Sequence, residues 1–458
     1  MDDDIREIDF GTYNATALEP LTALFVTVAA VLIFVLPRRQ VILPIIAVAS
    51  LIPYPQRIVI GLLNFDLMRV VLLCALIRLT SRREWGGWRL NPLDRLFLVW
   101  AAVMFFVPVA ADLSHFKQAT GFVLDNIAGY LIIRCLVVDR DILKPIAKVF
   151  ILLSIIVCAG MLVEHLLGKN LFFVFGAAPD VILRKGAIRG TAGFDHPILA
   201  GTYGAILLPL AWMLRPGNRR EKMLWFVGTV TSFLIVWTSK SSGPLFSFMS
   251  GALAIALWPA RQYVKTLRNI MWATLVFLQL VMVAPVWAII FRVPDALGLV
   301  DGSTSYHRYE LITLAVRNLS QWWLSGISID EVAKWEWGIQ DITNHYLMIG
   351  FSAGLLGLIL FIALLVRSFS MVGRCVHERH EDTQRARYAW VLGSLLFVHI
   401  MSFFGVSYFS GFWFFLNLTF ALIAAQCYPA ETSETGKITE ARVVDSPAAG
   451  VPTAAPTA

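Results

Sequence analysis

The chain has 458 residues, of which 58% are hydrophobic and only 15% are charged, and its mean hydropathy is +0.70. Soluble domains carry about 45–50% apolar and about 25% charged residues, so this composition excludes a water-soluble protein for most of the chain. The net charge of +7 does not indicate nucleic-acid binding, because the basic residues cluster in short loops between apolar runs.

Runs of about 17–25 apolar residues are long enough to cross a bilayer as helices. Residues 1–19 form an acidic N-terminal segment without a basic stretch before an apolar run, so we expect no cleaved signal peptide. The second apolar run is short and contains Pro44 and Pro53, which is typical of a re-entrant segment. We therefore expect an all-α, polytopic transmembrane bundle of 12–13 spans. The predicted spans are 20–36, 41–55, 62–79, 93–111, 118–135, 147–167, 196–214, 222–238, 243–260, 268–291, 344–366, 387–404 and 407–426.

The distribution of basic residues predicts the orientation of these spans. One alternating set of loops holds 23 Lys and Arg residues, and the opposite set holds 12. By the positive-inside rule, the richer side is cytoplasmic. Two long loops on the other side, 168–195 and 292–342, carry four basic residues each. Long loops are permitted to break the rule, and these two are the candidates for function.

Loop 168–195 and the start of the next span read RKGAIRGTAGFDHP from residue 184. Arg184, Lys185, Arg189 and His196 crowd into this stretch. One interpretation is that these cations reach out to lipid headgroups along their apolar stems. The other is that they hold an anion, because the planar arginine fork donates two parallel hydrogen bonds to a phosphate. The sequence leaves both open.

Loop 292–342 contains STSYHRYELITLAVRNLSQWW from residue 303. A Ser or Thr at 303–305 is a suitable helix N-cap, and the residues that follow give a partly apolar face. The pattern predicts a helix on the outer membrane face, with His307, Arg308 and Glu310 on its polar side.

Four tryptophans follow that helix, and two roles are open for them. They are an interfacial belt at the membrane surface, or one or two of them stack on sugar rings. The residues are Trp322, Trp323, Trp335 and Trp337.

Ionisable residues inside spans are costly in lipid and face the bundle interior. Asp66 and Arg69 are three residues apart on one helix face, which predicts a structural ion pair. Asp125 and His399 are candidates for a proton relay, and such a relay would favour a transporter.

The stretch RGTAGFDHPILAG at 189–201 resembles the Arg, Gly-Thr, His-Pro signature of bacterial O-antigen ligases and O-antigen or exopolysaccharide polymerases. That family also has a large outer loop with an early arginine, which Arg308 in YHRYE matches. A Ser-Arg-Gly element of the family is altered here to SKSSGP at 239–244. The resemblance covers about 60–426 in span order, and its motifs lie between 184 and 357.

The family's ligases carry a His, then Asn, Ser or Gln, nine residues, Gly, two residues and Gly. In this chain Asn344 is followed by nine residues, Gly354, two residues and Gly357. The position of the leading histidine is occupied by Thr343, and the nearest histidine is His345.

The resemblance implies a glycosyltransferase of the GT-C type, with a partly helical outer loop, that uses no metal and no cofactor. Its donor is a glycan on a polyprenyl diphosphate, and its acceptor is a lipid-linked glycan or a lipid A-core sugar. We expect Arg189 and Arg308 to contact the diphosphate. His345, or alternatively His196 or Glu310, accepts the proton of the acceptor hydroxyl. The expected substrate-binding residues are Arg184, Lys185, His196, His307, Glu310 and Asn344.

Two rival functions remain open at the level of sequence. The chain is a transporter or flippase for lipid-linked oligosaccharide, or a non-catalytic component of a polysaccharide assembly machine. In each case we expect a multi-pass protein of a bacterial inner membrane, with 20–426 as the membrane domain and 427–458 as a disordered cytoplasmic tail rich in Ala, Pro and Thr.

Overall fold

The structure, a computed structural model, describes residues 15–60, 63–86, 90–137, 140–285, 287–288, 302–336, 341–378 and 383–428. The N-terminal segment up to residue 14, Trp337, residues 292–301 of the long loop and the tail from 429 lie outside the described residues.

The described part of the chain is built almost entirely of helices. In chain order the α-helices are α1 Pro20–Val35, α2 Ile42–Leu51, α3 Leu67–Ser81, α4 Pro92–Ala111, α5 Phe116–Val123, α6 Gly129–Leu136, α7 Leu143–Leu167, α8 Pro197–Trp212, α9 Arg219–Thr238, α10 Ser242–Ala256, α11 Val264–Val281, α12 Gly302–Arg317, α13 Leu319–Trp322, α14 Ile329–Val332, α15 His345–Glu378, α16 Thr383–Ser402 and α17 Trp413–Gln426. A π-helical turn, Leu124–Ala128, joins α5 to α6, and short 3₁₀ turns cover Arg38–Gln40, Leu113–His115, Arg140–Ile142, Leu171–Phe175, Trp258–Tyr263 and Ser410–Phe412. Two antiparallel hairpins pair β1 Arg57–Ile60 with β2 Leu63–Asp66, and β3 Ile182–Arg184 with β4 Ala187–Arg189.

The protein is an all-α helical membrane protein. Four helical stretches of the described residues are long and apolar enough to cross a bilayer: α4, Leu113–Leu136 (which contains α5, the π-helical turn and α6), α7 and His345–His377 of α15. The number is five when α10 and the turn that follows it, bent by 79°, count as one span. Shorter apolar helices of 10–17 residues also lie in the described residues, among them α1, α8 and α17. The predicted total of 12–13 spans therefore stays a prediction.

One end of the bundle, which we call the arginine-rich end, is held together by buried charges. Arg78 is 1% exposed; it donates to the carbonyl oxygens of Ile33 and Leu36 at the end of α1 and pairs with Glu84 at 3.0 Å. These bonds satisfy carbonyls that a helix C-terminus leaves open. The guanidinium group therefore acts as a cap for α1.

The same end contains a second buried pair. Asp94 accepts a hydrogen bond from the Tyr130 hydroxyl at 2.5 Å and pairs with Arg134 at 3.2 Å. Asp94 also completes a capping box with Asn91 at the start of α4. The same carboxylate therefore stabilises the start of the helix and holds Arg134 in place.

The opposite end, which we call the site end, carries the two hairpins and the long loops. The predicted span 62–79 is wrong at its start, because residues 63–66 are a strand and Asp66 caps α3 by accepting from the amide of Arg69 at 2.8 Å. The predicted ion pair of Asp66 with Arg69 is confirmed at 3.2 Å, and Arg69 also binds Asp125 at 2.6 Å.

Two tryptophans of the long loop, Trp322 and Trp335, form part of a small core. They therefore serve neither as an interfacial belt nor as stacking surfaces for sugar rings. Trp322 and Trp335 are buried, and each packs against Phe351. The indole N–H of Trp322 donates to the carbonyl of Ala315 at 2.8 Å, so its polar edge is satisfied inside the protein. Trp323, by contrast, is half exposed and is still available to a membrane or a ligand.

The spaced glycines Gly354 and Gly357 have a structural reason. α15 is broken at Ala353 and Gly354, and Gly354 has φ 68° and ψ −171°, a conformation that is essentially restricted to glycine. The amide of Leu355 donates to the carbonyl oxygen of Trp323 at 2.8 Å across the break. The broken helix therefore fastens the long loop to the membrane domain.

We predict that Gly354→Ala lowers the free energy of unfolding by about 2–5 kcal/mol, from backbone strain and overpacking. A methyl group at this position would lie 2.5 Å from the carbonyl oxygen of Leu324. Gly373→Ala is the matched control, because a methyl group there meets no atom within 4 Å. Thermal unfolding of the purified proteins in detergent measures both. Equal melting temperatures for the two variants would contradict the prediction.

Candidate functional site

Arg189 ends strand β4 and is 4% exposed, so its guanidinium group is held inside the site end. The chain after it is fixed by Glu164 near the end of α7. The Glu164 carboxylate, itself fully buried, accepts from the amides of Thr191 at 2.7 Å and Ala192 at 2.6 Å. The amide of Gly190 donates to the carbonyl of Thr238 at 3.0 Å. Three successive amides thus have fixed partners, and they set the position of Arg189.

The guanidinium group of Arg189 reaches the start of helix α10. Its Nη2 donates to the Ser241 hydroxyl at 2.8 Å, and this hydroxyl in turn donates to the carbonyl of Ser239 at 2.9 Å. Ser241 is the residue that immediately precedes α10. The first amides of a helix have no partner inside the helix, and the helix dipole places partial positive charge there. Arg189 therefore adds a full positive charge to an end that already favours anions.

Arg308 reaches the same helix end from the long loop. It lies on α12, is 7% exposed, and donates from Nη2 to the carbonyl of Gly405 at 3.3 Å. A Cβ atom on Gly243, in the first turn of α10, would lie 3.7 Å from Nη2. The lack of a side chain at Gly243 and Gly405 thus leaves room for this guanidinium group. Arg189 and Arg308 converge on residues 241–243 from different loops.

The charge of Arg308 is not balanced within the described residues. Its Nε has no hydrogen-bond partner there, and no carboxylate lies within ion-pair distance of it. Burial and the nearby Arg184 lower the pKa of Arg308 to about 10, while Asp341 acts in the opposite direction. The group remains charged at neutral pH. A buried cation without a counter-ion is costly, so the arrangement favours a bound anion.

His196 caps α8 and borders this group of arginines. Its Nδ1 accepts from the amide of Ile198 at 3.1 Å, so Nε2 carries the proton in the neutral ring. Burial and the neighbouring Arg189 and Arg184 lower the pKa of His196 to about 4. At neutral pH the imidazole is therefore uncharged and has one N–H to donate, as expected of a substrate-binding group and not of a base.

The remaining loop residues differ in how close they come to the arginines. Arg184 is exposed at the end of β3, but its charge acts on both Arg308 and His196. Lys185 forms the exposed tip of the hairpin with φ 51°, and Glu310 adjoins the exposed Tyr306. These positions give Arg184 a place in the site and leave Lys185 and Glu310 at its margin.

Asp341 is a site residue that sequence reasoning missed. His307 Nε2 lies 3.3 Å from the backbone oxygen of Asp341, which brings this residue beside α12. Its side chain remains open to solvent, yet the surrounding protein raises the pKa of Asp341, an effect that His307 and Arg308 oppose. Nothing in the sequence marks Asp341 as a site residue, since it precedes the span as an ordinary acidic loop residue.

Asn344 and His345 have structural partners at the start of α15. Asn344 is buried, and its side-chain oxygen caps the helix by accepting from the amide of Leu347 at 3.1 Å. His345 is fully buried, and its Nδ1 accepts from the amide of Tyr408 at 3.0 Å. Nε2 must then carry the proton, and it has no hydrogen-bond partner among the described residues.

Aromatic rings enclose His345 on several sides, at centroid distances of 4.7–5.5 Å. They belong to Phe361, Phe403, Tyr408 and Trp413. The geometry therefore argues against the predicted roles of His345 as general base and of Asn344 as a ligand to substrate. Both residues order the segment 403–408 and α15, and through Gly405 this segment supports Arg308.

The predicted proton relay is wrong. Asp125 binds Arg69 with both carboxylate oxygens, at 2.6 and 2.7 Å. His399 instead contacts the hydroxyls of Tyr408, at 2.7 Å, and Thr419, at 3.2 Å. Each residue is engaged in its own local group, which removes the main observation in favour of a transporter.

No protein-family model matches this chain, and no curated protein matches it either. The geometry of the site is therefore the basis for inferring function. The residues that the structure describes contain no group of three or more His, Cys, Asp or Glu side chains able to hold a metal ion. What the site presents is two buried guanidinium groups, a helix N-terminus and a neutral imidazole, a set suited to binding and stabilising an anionic group.

Proposed function

We propose that this protein transfers a glycan from a polyprenyl-diphosphate carrier to an acceptor glycan at the outer face of a bacterial inner membrane. It would thus be a ligase or polymerase of O-antigen or exopolysaccharide, a polytopic glycosyltransferase of the GT-C type. The sequence resemblance suggests the family, and the site end suggests the chemistry. On this proposal the arginine-rich end faces the cytoplasm, in agreement with the positive-inside rule.

The observation that carries the proposal is the convergence of Arg189 and Arg308 on the N-terminus of α10, with Arg308 buried and lacking a carboxylate partner in the described residues. A diphosphate supplies the negative charge that the buried Arg308 favours. The polyprenyl tail of such a donor would stay in lipid between helices. No nucleotide, metal or cofactor is needed, because the donor is already activated.

The proposed reaction breaks the bond between the anomeric carbon and the diphosphate oxygen. The acceptor hydroxyl oxygen forms the new glycosidic bond and loses its proton. Arg189 and Arg308 stabilise the charge that develops on the departing diphosphate, a kind of preorganised electrostatic effect that is worth about 10²–10³-fold for one donor. We assign the proton to Asp341, an accessible carboxylate of raised pKa beside Arg308.

Mass analysis of lipid-linked intermediates in a strain that lacks the gene tests this function. We expect undecaprenyl-diphosphate repeat units to accumulate on the outer leaflet and to disappear when the wild-type gene is restored. Accumulation on the inner leaflet would instead indicate a flippase. If the deletion abolishes the polysaccharide but Arg189→Ala and Arg308→Ala both restore it fully, the protein is a non-catalytic assembly component.

A further inference from the structure

A cavity, which we call the acidic cavity, lies at the site end beside Arg189 and Arg308. It encloses about 550 Å³, including its open mouth. Its lining includes Ser50, Tyr54, Asp66, Asp195, Gly411 and Phe412.

Polar side chains, among them the hydroxyl groups of Ser50 and Tyr54, line the acidic cavity. Ser50 is 1% exposed, and its Oγ makes no hydrogen bond of ordinary geometry with any described residue, although the Tyr203 hydroxyl is its neighbour. Tyr54 also lines the cavity, but it is 41% exposed, and it lies near enough to Asp66 and Asp195 for their charges to act on it. A hydroxyl group can both donate and accept hydrogen bonds, so Ser50 keeps hydrogen-bonding capacity beyond its contact with Tyr203, and a hydroxyl group in the cavity can use it.

The cavity and the arginine site share two stretches of backbone. Arg189 and His196 belong to the arginine site, while Asp195 lies between them on the chain and lines the cavity. Gly405 accepts from Arg308, while Gly411 and Phe412 line the cavity a few residues later. The rings of His196 and Phe409 lie 6.4 Å apart and join the two stretches. A group bound in the cavity therefore lies next to one bound by the arginines.

The lining has the composition of a carbohydrate site and not of a second phosphate site. The Asp195 carboxylate repels phosphate but accepts hydrogen bonds from hydroxyl groups, and charged hydrogen bonds are the stronger ones. Phe194, a partly buried residue of the lining, offers an apolar ring to the C–H face of a sugar. A cation is a poorer fit, because Asp66 is already bound to Arg69 and to the start of α3.

We propose that the acidic cavity binds a terminal sugar of the acceptor glycan and holds its hydroxyl groups against Asp195 and Ser50, beside the diphosphate held by Arg189 and Arg308. This inference rests on the proposed function and names the acceptor side of that same site. Because the cavity repels phosphate, it would also prevent a donor from binding in the acceptor position.

The test is a binding measurement on the full-length protein in lipid nanodiscs. The probe is the repeat-unit oligosaccharide released from the strain's own polysaccharide, free of lipid and diphosphate. Asp195→Asn weakens an acceptor of hydrogen bonds, and Gly411→Leu fills the cavity, since a Cβ there meets only Met68, at 3.8 Å. Gly373→Leu, the same change where no atom lies within 4 Å, is the control.

We expect Asp195→Asn and Gly411→Leu each to weaken oligosaccharide binding at least about tenfold, with Gly373→Leu and Arg308→Ala close to wild type. Geranylgeranyl diphosphate serves as the parallel probe and should lose affinity only in Arg308→Ala. No oligosaccharide binding by the wild type, or unchanged binding by Gly411→Leu, would overturn the cavity proposal. Unchanged diphosphate binding by Arg308→Ala would instead overturn the proposed function.

Discussion

Replacing Arg308 by alanine is expected to lower the yield of transferred glycan by about 10²–10³-fold at normal protein levels. The loss follows because Arg308 would no longer meet the charge on the leaving diphosphate. Arg189→Ala should have an effect of similar size, since both guanidinium groups approach the same end of α10. Arg308→Lys should restore little activity, because an ammonium group lacks the planar fork. Complementation of a deletion strain, with the polysaccharide separated by length, gives the measurement.

The stability of the same variant separates function from structure. Arg308 is buried without a carboxylate partner in the described residues, so its removal should leave the melting temperature unchanged or raise it. Arg317→Ala is the control, because Arg317 lies exposed on the same helix and should keep full activity. Full-length polysaccharide from both Arg308→Ala and Arg189→Ala would refute the diphosphate role. A large fall in melting temperature would show that Arg308 is structural.

Replacing Glu164 by alanine is expected to destabilise the protein by about 2–6 kcal/mol, from about 1–3 kcal/mol for each of the two amides that lose their acceptor. Those amides, of Thr191 and Ala192, directly follow the segment that carries Arg189. Glycan transfer should therefore fall as well. Glu164→Gln should give an intermediate effect, because the amide oxygen serves one donor while its NH₂ group faces the other.

Thermal unfolding in detergent and the complementation assay together measure the Glu164 variants. Asp180→Asn is the matched control, since this carboxylate is exposed in the same loop and its replacement should change stability by less than about 0.5 kcal/mol. A Glu164→Ala protein with wild-type melting temperature and polysaccharide would show that the carboxylate does not fix Arg189.

The sequence predicted the candidate site residues, and the structure brings some of them together and gives others structural partners. Arg189, Arg308 and His196 were predicted from their place in outer loops, and the structure brings them together. His345 and Asn344 were predicted to act on substrate, but they serve as packing and capping groups. The sequence around a histidine at a span boundary does not show whether its ring faces a cavity or packs among aromatic rings.

The sequence by itself determined the class of protein, because long apolar runs admit no solvent other than lipid. It also determined which two loops concentrate positive charge on the side of the membrane that has fewer Lys and Arg residues. It also contained the Gly354 and Gly357 spacing, although not its meaning as a broken helix. Only the tertiary structure decided that Arg189 and Arg308 meet at α10, that Glu164 holds the first of them, and that the acidic cavity adjoins both. The reason is physical: hydropathy and periodicity act within one helix, whereas these contacts join residues separated by 27–97 positions, and only packing brings such residues together.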